Sequence, residues 1–220
     1  GRDGVAANPQ QAWMLLSRAA AEGAPGASYA LGQMLEQGLH QQADFTAAVK
    51  MYRQAVEQGS APAQQRLGTL AMTGDLDGMM APHRMVPWVA LLASEDLPEA
   101  RNWLQLQAEA GLRPAQASYG QALLASGDAE AAAPWLTRAA EAGDVEAQHQ
   151  LGRLYIQGEG LAQDYVQAHS WLNVAAAGGS TAAFEMRAVV ADLMTPEQVA
   201  EAQALARQFF ATARPGGAGE

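Results

Sequence analysis

The sequence predicts an all-α fold: a solenoid of short helix pairs stacked one on the next. Three observations predict it. Alanine dominates a chain that is 49% hydrophobic and only 16% charged, with Leu, Gln and Glu abundant and Val and Ile scarce. These are helix formers, and the apolar share is ample for a core. A short alanine-rich segment closing on glycine recurs five times, at Gly23, Gly59, Gly111, Gly143 and Gly179, with spacings of 36, 52, 32 and 36 residues. A second marker keeps the same phase, as Leu31-Gly32, Leu67-Gly68 and Leu151-Gly152, with Tyr119-Gly120 in the same slot.

The elements follow in chain order. Asn8 to Gly23 reads as a lone second helix of a pair, within a partial first repeat at 5–23. The first full repeat, 24–59, opens with a helix over Ala27–Gln37, where Ala30, Leu31, Met34 and Leu35 form one apolar stripe at helical spacing. Gly32 carries no side chain on that helix, so a neighbour can come close. The partner helix, Asp44 to Gln58, puts Ala48, Tyr52 and Ala55 on one face and stops at Gly59, where a left-handed backbone ends the helix. An alanine stands eleven residues before each closing glycine (Ala12, Ala48, Ala100, Ala132, Ala168), and a large apolar residue eight before it (Leu15, Met51, Trp103, Trp135, Trp171). Such a pair cannot bury its apolar face alone, whereas stacked pairs build a continuous core.

The remaining repeats are 60–111, 112–143 and 144–179. The long spacing places an insertion at 75–97 inside the second of the full repeats. The short spacing reads as a tightened turn at Ala125–Glu130, with the next helix able to start at Asp128. Capping helices fill 180–212: Ala188 replaces the marker glycine, and Thr195-Pro196-Glu197-Gln198 is a helix start with Thr as N-cap, Pro at the first position and Gln three residues on. The whole is one solenoid, 1–213, and the Pro-Gly-rich 214–220 reads as a disordered tail.

The copy Glu146-Ala147…Leu151-Gly152-Arg153-Leu154-Tyr155…Gly158-Glu159-Gly160…Asp164-Tyr165…Ala168…Trp171-Leu172…Ala175-Ala176…Gly179 resembles the Sel-one-like repeat (SLR), a tetratricopeptide-like helix pair. The resemblance runs from Pro9 to Phe210, and Asp75 to Leu97 departs from it. It implies a right-handed α–α superhelix that serves as an interaction scaffold or adaptor, often in bacteria and often exported. The bacterial periplasm is therefore the expected location, with the cytoplasm as the alternative.

Composition narrows the partners. The net charge of −10, with Lys50 the only lysine, opposes nucleic acid and anionic lipid, both of which are bound through neutralised phosphates. No apolar run approaches the roughly 20 residues of a membrane helix. There is no cysteine for a thiolate nucleophile or Cys-type zinc site, and His40, His83, His149 and His169 are scattered without ligand spacing, so no metal and no cofactor are expected. Asp75-Leu76-Asp77-Gly78 lacks the later acidic ligands of a calcium loop and reads as a turn. No nucleophile elbow, phosphate loop or dinucleotide fingerprint appears, so an enzyme is not expected.

The resemblance also puts the first helix of each pair on the concave surface. By phase, its open positions are Tyr29, Gln33 and Glu36; Gln65, Thr69 and Met72; Gln121 and Leu124; His149, Arg153 and Gln157; and Glu185 in the cap. These are mostly neutral amides, suited to an extended segment or loop rather than to phosphate. In the insertion, Met79, Met80, Met85 and Trp88 form either partner contacts or the buried face of an extra helix from Pro87 to about Ser94. The expectation is a chain monomeric on its own that binds another protein as scaffold, adaptor or inhibitor. The alternatives are an immunity protein that blocks a secreted toxin's basic cleft with its acidic surface, and an enzyme or enzyme subunit built on the solenoid.

Overall fold

The computed structural model describes residues 8–212, so the starts of the partial first repeat and the tail at 214–220 lie outside the described residues. Among the described residues there are twelve α-helices and no strand. They divide into two compact units, Gly1–Leu92 and Ala93–Glu220.

The first unit begins with α1 (Pro9–Ala21), whose N-cap Asn8 accepts from the amides of Gln10 and Gln11. It packs as a lone second helix on α2 (Pro25–Gln37), which pairs with α3 (Phe45–Glu57). The pair closes where the marker residues predict. A Cβ on Gly32 would lie 2.5 Å from the Tyr52 ring, and Ala48, Tyr52 and Ala55 are fully buried.

Next come α4 (Ala61–Met72) and α5 (Pro82–Ser94). Here the structure corrects the expected repeat 60–111 with its insertion. The marker Gly68 of α4 faces α5: a Cβ there would lie 2.7 Å from a Leu92 methyl and 2.8 Å from the Trp88 carbonyl oxygen. α5 is therefore the second helix of that pair. Two residues past its end at Ser94 stands Asp96, the one non-glycine residue with positive φ (64°) among the described residues, where the other pairs have their closing glycine. Counting back from Asp96, Met85 takes the alanine position, Trp88 the large apolar position, Val89 the position of Tyr52, and Leu92 that of Ala55. Met85, Val89 and Leu92 are all buried. From Gly59 to Asp96 is 37 residues, an ordinary period, and from Asp96 to Gly111 only 15. What is irregular is a missing first helix, not an added loop.

The second unit accordingly begins like the first, with a lone second helix, α6 (Pro98–Glu109). It packs on α7 (Arg113–Ala125), which pairs with α8 (Ala129–Glu141). The tightened turn behaves as read, with Asp128 as N-cap accepting from the Ala131 amide. α9 (Val145–Gln157) and α10 (Tyr165–Ala177) form the most regular pair, Gly152 against Leu172. α11 (Thr181–Ala191) follows, and α12 (Pro196–Thr212) starts at the predicted box: Thr195 Oγ1 accepts from the Gln198 amide and Gln198 Oε1 from the Thr195 amide. α12 packs on α10, with Phe209 edge-on to Trp171 at 4.2 Å. Ala188, in the marker slot of α11, is exposed, so the outer face of α11 lacks the cover that Gly120 and Gly152 receive.

Candidate functional site

The open face of a first helix is set by its marker. The residues two before, one after and five after it point away from the second helix, since they fall about 100° or more from the buried stripe. In the second unit this register gives three rows: Ser118, Gln150 and Met186; Gln121, Arg153 and Val189; Ala125, Gln157 and Leu193. α9 touches both α7 and α11 side by side, so the rows run across three helices.

Two cavities follow these rows. One, of about 310 Å³, lies between α7 and α9 and is lined by Gln121, Leu124, Gln150, Arg153 and Gln157, with Glu159 near the end of α9. The other, of about 180 Å³, lies between α9 and α11, lined by Ile156, Met186, Val189, Val190 and Leu193 as well as Arg153 and Gln157. The first mixes the amides of Gln121, Gln150 and Gln157 with apolar Leu124, Ala125 and Leu154. The second is almost wholly apolar, and Val189 and Leu193 on its rim are 65% and 59% exposed.

Arg153 belongs to both. Glu146 accepts from Gln150 Nε2 at 2.6 Å, and Gln150 Oε1 accepts from Arg153 Nη1 at 3.0 Å, which fixes the guanidinium along one face of α9. Among the described residues no carboxylate stands within ion-pair distance of it.

Thus the structure brings Gln121, Leu124, Arg153 and Gln157 of the expected set into one groove. His149 is not with them: its side chain is only 12% exposed, with Nδ1 3.7 Å from Glu146 and Nε2 buried without a hydrogen-bond partner. Glu185 is exposed but lines neither cavity. Gln150, Ile156, Met186, Val189 and Leu193 were missed. The helical phase carried one turn past Glu185 reaches Val189, and a second turn reaches Leu193.

In the first unit, Gln65 and Thr69 are exposed on α4, Met72 is half-buried, and Gln33 donates to the Tyr29 hydroxyl at 3.2 Å. Glu36 is occupied internally. It accepts from the Tyr52 hydroxyl at 2.5 Å and pairs with Arg66, tying α2 to α4. Burial alone would raise the Glu36 carboxyl, but the Arg66 guanidinium and the Tyr52 hydroxyl outweigh it and hold it below the ordinary glutamate value. Burial and the same carboxylate push the Tyr52 hydroxyl up.

A folded value below the unfolded one means the carboxylate stabilises the fold above about pH 4.5. That contribution is lost as the pH falls through the lowered value. Glu36→Gln is expected to cost about 1 kcal/mol at pH 7, discounted for the partly exposed arginine, and the gap from wild type should close in acid. Urea melts at pH 7 and pH 3 check this; an undiminished gap at pH 3 would mean that the pair is not what Glu36 contributes.

Of the four residues singled out in 75–97, Met79 is 42% exposed, Met80 and Trp88 are half-buried, and Met85 is 1% exposed. Met85 is a core residue closed off by the pairing of α4 with α5, and no partner reaches it. Among the described residues no group of three or more metal-capable side chains occurs, and no helix is long and apolar enough to cross a membrane.

The chain matches the Sel1 repeat family model at residues 1–23, 25–60, 92–112, 115–144 and 145–180, more than half its length. Solved structures resemble it too. A protective antigen of uropathogenic Escherichia coli displaying an SLR fold is 29% identical, with a TM-score of 0.52 over 92% of this chain and 49% of its own. A Sel1 repeat protein from Oxalobacter formigenes is 28% identical, with a TM-score of 0.43 over 97% of this chain and 82% of its own. An immunity protein from Pseudomonas aeruginosa is 22% identical, with a TM-score of 0.35 over 86% and 83%. The chain spans about half the length of the first. No curated protein matches it.

Proposed function

From the premise that the chain belongs to the Sel1 repeat family, a family of protein-interaction modules, we propose that it grips a partner protein, without catalysis, on the open faces of its first helices. The observation that carries this reading is the pair of cavities along α7, α9 and α11. They are open, formed by helix faces in regular register, and lined by amides, one cation and apolar side chains. Hydrogen bonds from amides and apolar burial are what an extended segment or loop of another protein needs. The net charge of −10 favours a partner whose wider surface is basic. The family's frequent export supports a periplasmic site of action, which fractionation of the native host would test.

The direct test is cross-linking mass spectrometry on the partner captured from the native host, followed by surface substitution. Thr69→Arg and Gln157→Arg, on first helices, are expected to weaken that complex at least tenfold. Thr46→Arg and Asn102→Arg, on the exposed faces of second helices, should leave it within about twofold. The opposite pattern would put the interface on the other face and end this reading.

A further inference from the structure

We propose that the groove across α7, α9 and α11 takes an extended peptide that carries a carboxylate within about three residues of a bulky apolar side chain. The carboxylate pairs with Arg153 and the apolar side chain fills the cavity between α9 and α11. This deepens the reading above and rests on it.

Charge complementarity is the first support. The chain has 23 acidic residues against 13 basic ones, yet Arg153, the cation that lines both cavities, meets no carboxylate among the described residues. Arg66 and Arg101 meet Glu36 and Asp96, and Arg18 meets Glu22. Arg153 instead spends one N–H on Gln150 and is held by the Glu146–Gln150 relay, which orients its planar fork. An oriented guanidinium takes a carboxylate through two parallel hydrogen bonds.

The second support is where the apolar surface lies. Met186, Val189 and Leu193 occupy on α11 the same register as Gln150, Arg153 and Gln157 on α9. A segment laid across the helices therefore leaves a cationic row and enters an apolar one. Neighbouring helix axes lie about 8–10 Å apart, and an extended chain rises about 3.3 Å per residue, so the two contacts fall within about three residues of each other. Gln121 and Gln157 are left to meet the backbone. Glu159 borders the amide cavity at the end of α9, so a second acid placed on that side is disfavoured.

The test uses the full chain, immobilised and probed with two random-peptide display libraries, one with both peptide ends blocked and one with free C-termini. Enriched sequences are expected to place Asp or Glu, or a free C-terminus, within three residues of Leu, Ile, Met or Phe. The two libraries separate a side-chain from a terminal carboxylate. The best peptide, synthesised and titrated by fluorescence anisotropy, should bind at least tenfold more weakly to Arg153→Gln and to Leu193→Ser. Arg153→Lys, which keeps the charge but not the fork, should fall between wild type and Arg153→Gln. Helical content by circular dichroism should be unchanged in all three, since Leu193 is exposed and Arg153 half-buried.

No enrichment, a neutral or basic consensus, or an acid preference that survives Arg153→Gln would overturn the proposal. So would a self-dimer in sedimentation that Leu193→Ser dissociates, because the occupant would then be a second copy. If Thr69→Arg and Gln157→Arg still abolish capture of the native partner, only the peptide chemistry falls and the interaction reading stands.

Discussion

Gly160→Ala is expected to lower stability by about 3 kcal/mol or more, measured by urea unfolding, although Gly160 is an exposed residue in the turn before α10. Two effects add. Its φ is +69°, a region that costs a side-chain-bearing residue about 1–2 kcal/mol. A Cβ would also fall inside the van der Waals envelope of the Ala129 carbonyl oxygen and carbon at the start of α8. Backbone cannot swing aside as a side-chain tip does, so overpacking adds about 1–3 kcal/mol. Gly143→Ala isolates the first effect: φ there is +94°, with nothing within 4 Å of the added methyl. Equal losses in the two variants would show that the contact with α8 carries no weight.

The same residue shows what a sequence reveals and what it hides. Gly160 is legible as a turn residue because turn glycines recur at the repeat period. That it also lets the loop of one pair lie on the second helix of the pair before is a fact of stacking, with no local trace. The close approaches at Gly32, Gly120 and Gly152 were readable because each pairs with a size pattern in the next helix. Alanine at one slot leaves room, and Tyr52, Leu136 and Leu172 fill it.

In the groove, Gln121, Arg153 and Gln157 were readable by phase alone. Val189 and Leu193 were not, because exposed apolar residues near a chain's last helices read as a cap. Only the placement of α12 on α10 leaves them open. Glu36 failed for a different reason. It stands four residues after the marker Gly32, a phase that turns it toward Tyr52 of the second helix, and its other partner, Arg66, is 30 residues away, beyond any local pattern. His149 shares the helix face of Arg153, yet a shorter side chain held near Glu146 stays buried.

The pairing of α4 with α5 makes the sharpest demand on stability. The sequence marks α5 only as an extra helix from Pro87 to about Ser94, and not as the second helix of a pair, because it inverts the sizes of its cognates. Met85 stands where Ala48, Ala100, Ala132 and Ala168 stand, and Val89 where Tyr52, Leu104, Leu136 and Leu172 stand. Leu92 likewise stands where Ala55 stands, so large residues fill the two small slots and the smaller Val89 the large one. The closing glycine is Asp96, whose short polar side chain tolerates the left-handed backbone and pairs with Arg101. Met85→Ala should therefore cost about 2–4 kcal/mol, since it removes a side chain that is 1% exposed and leaves a cavity that Val89 is too small to fill. Met79→Ala, at a residue 42% exposed in the turn before α5, should stay within about 0.5 kcal/mol. The double variant Met85→Ala/Val89→Leu restores the size pattern of the other pairs and should recover part of the loss. Two single variants of equal stability, with partner affinity lost in Met85→Ala, would show that Met85 is a contact residue after all and that α5 is not the second helix of its pair.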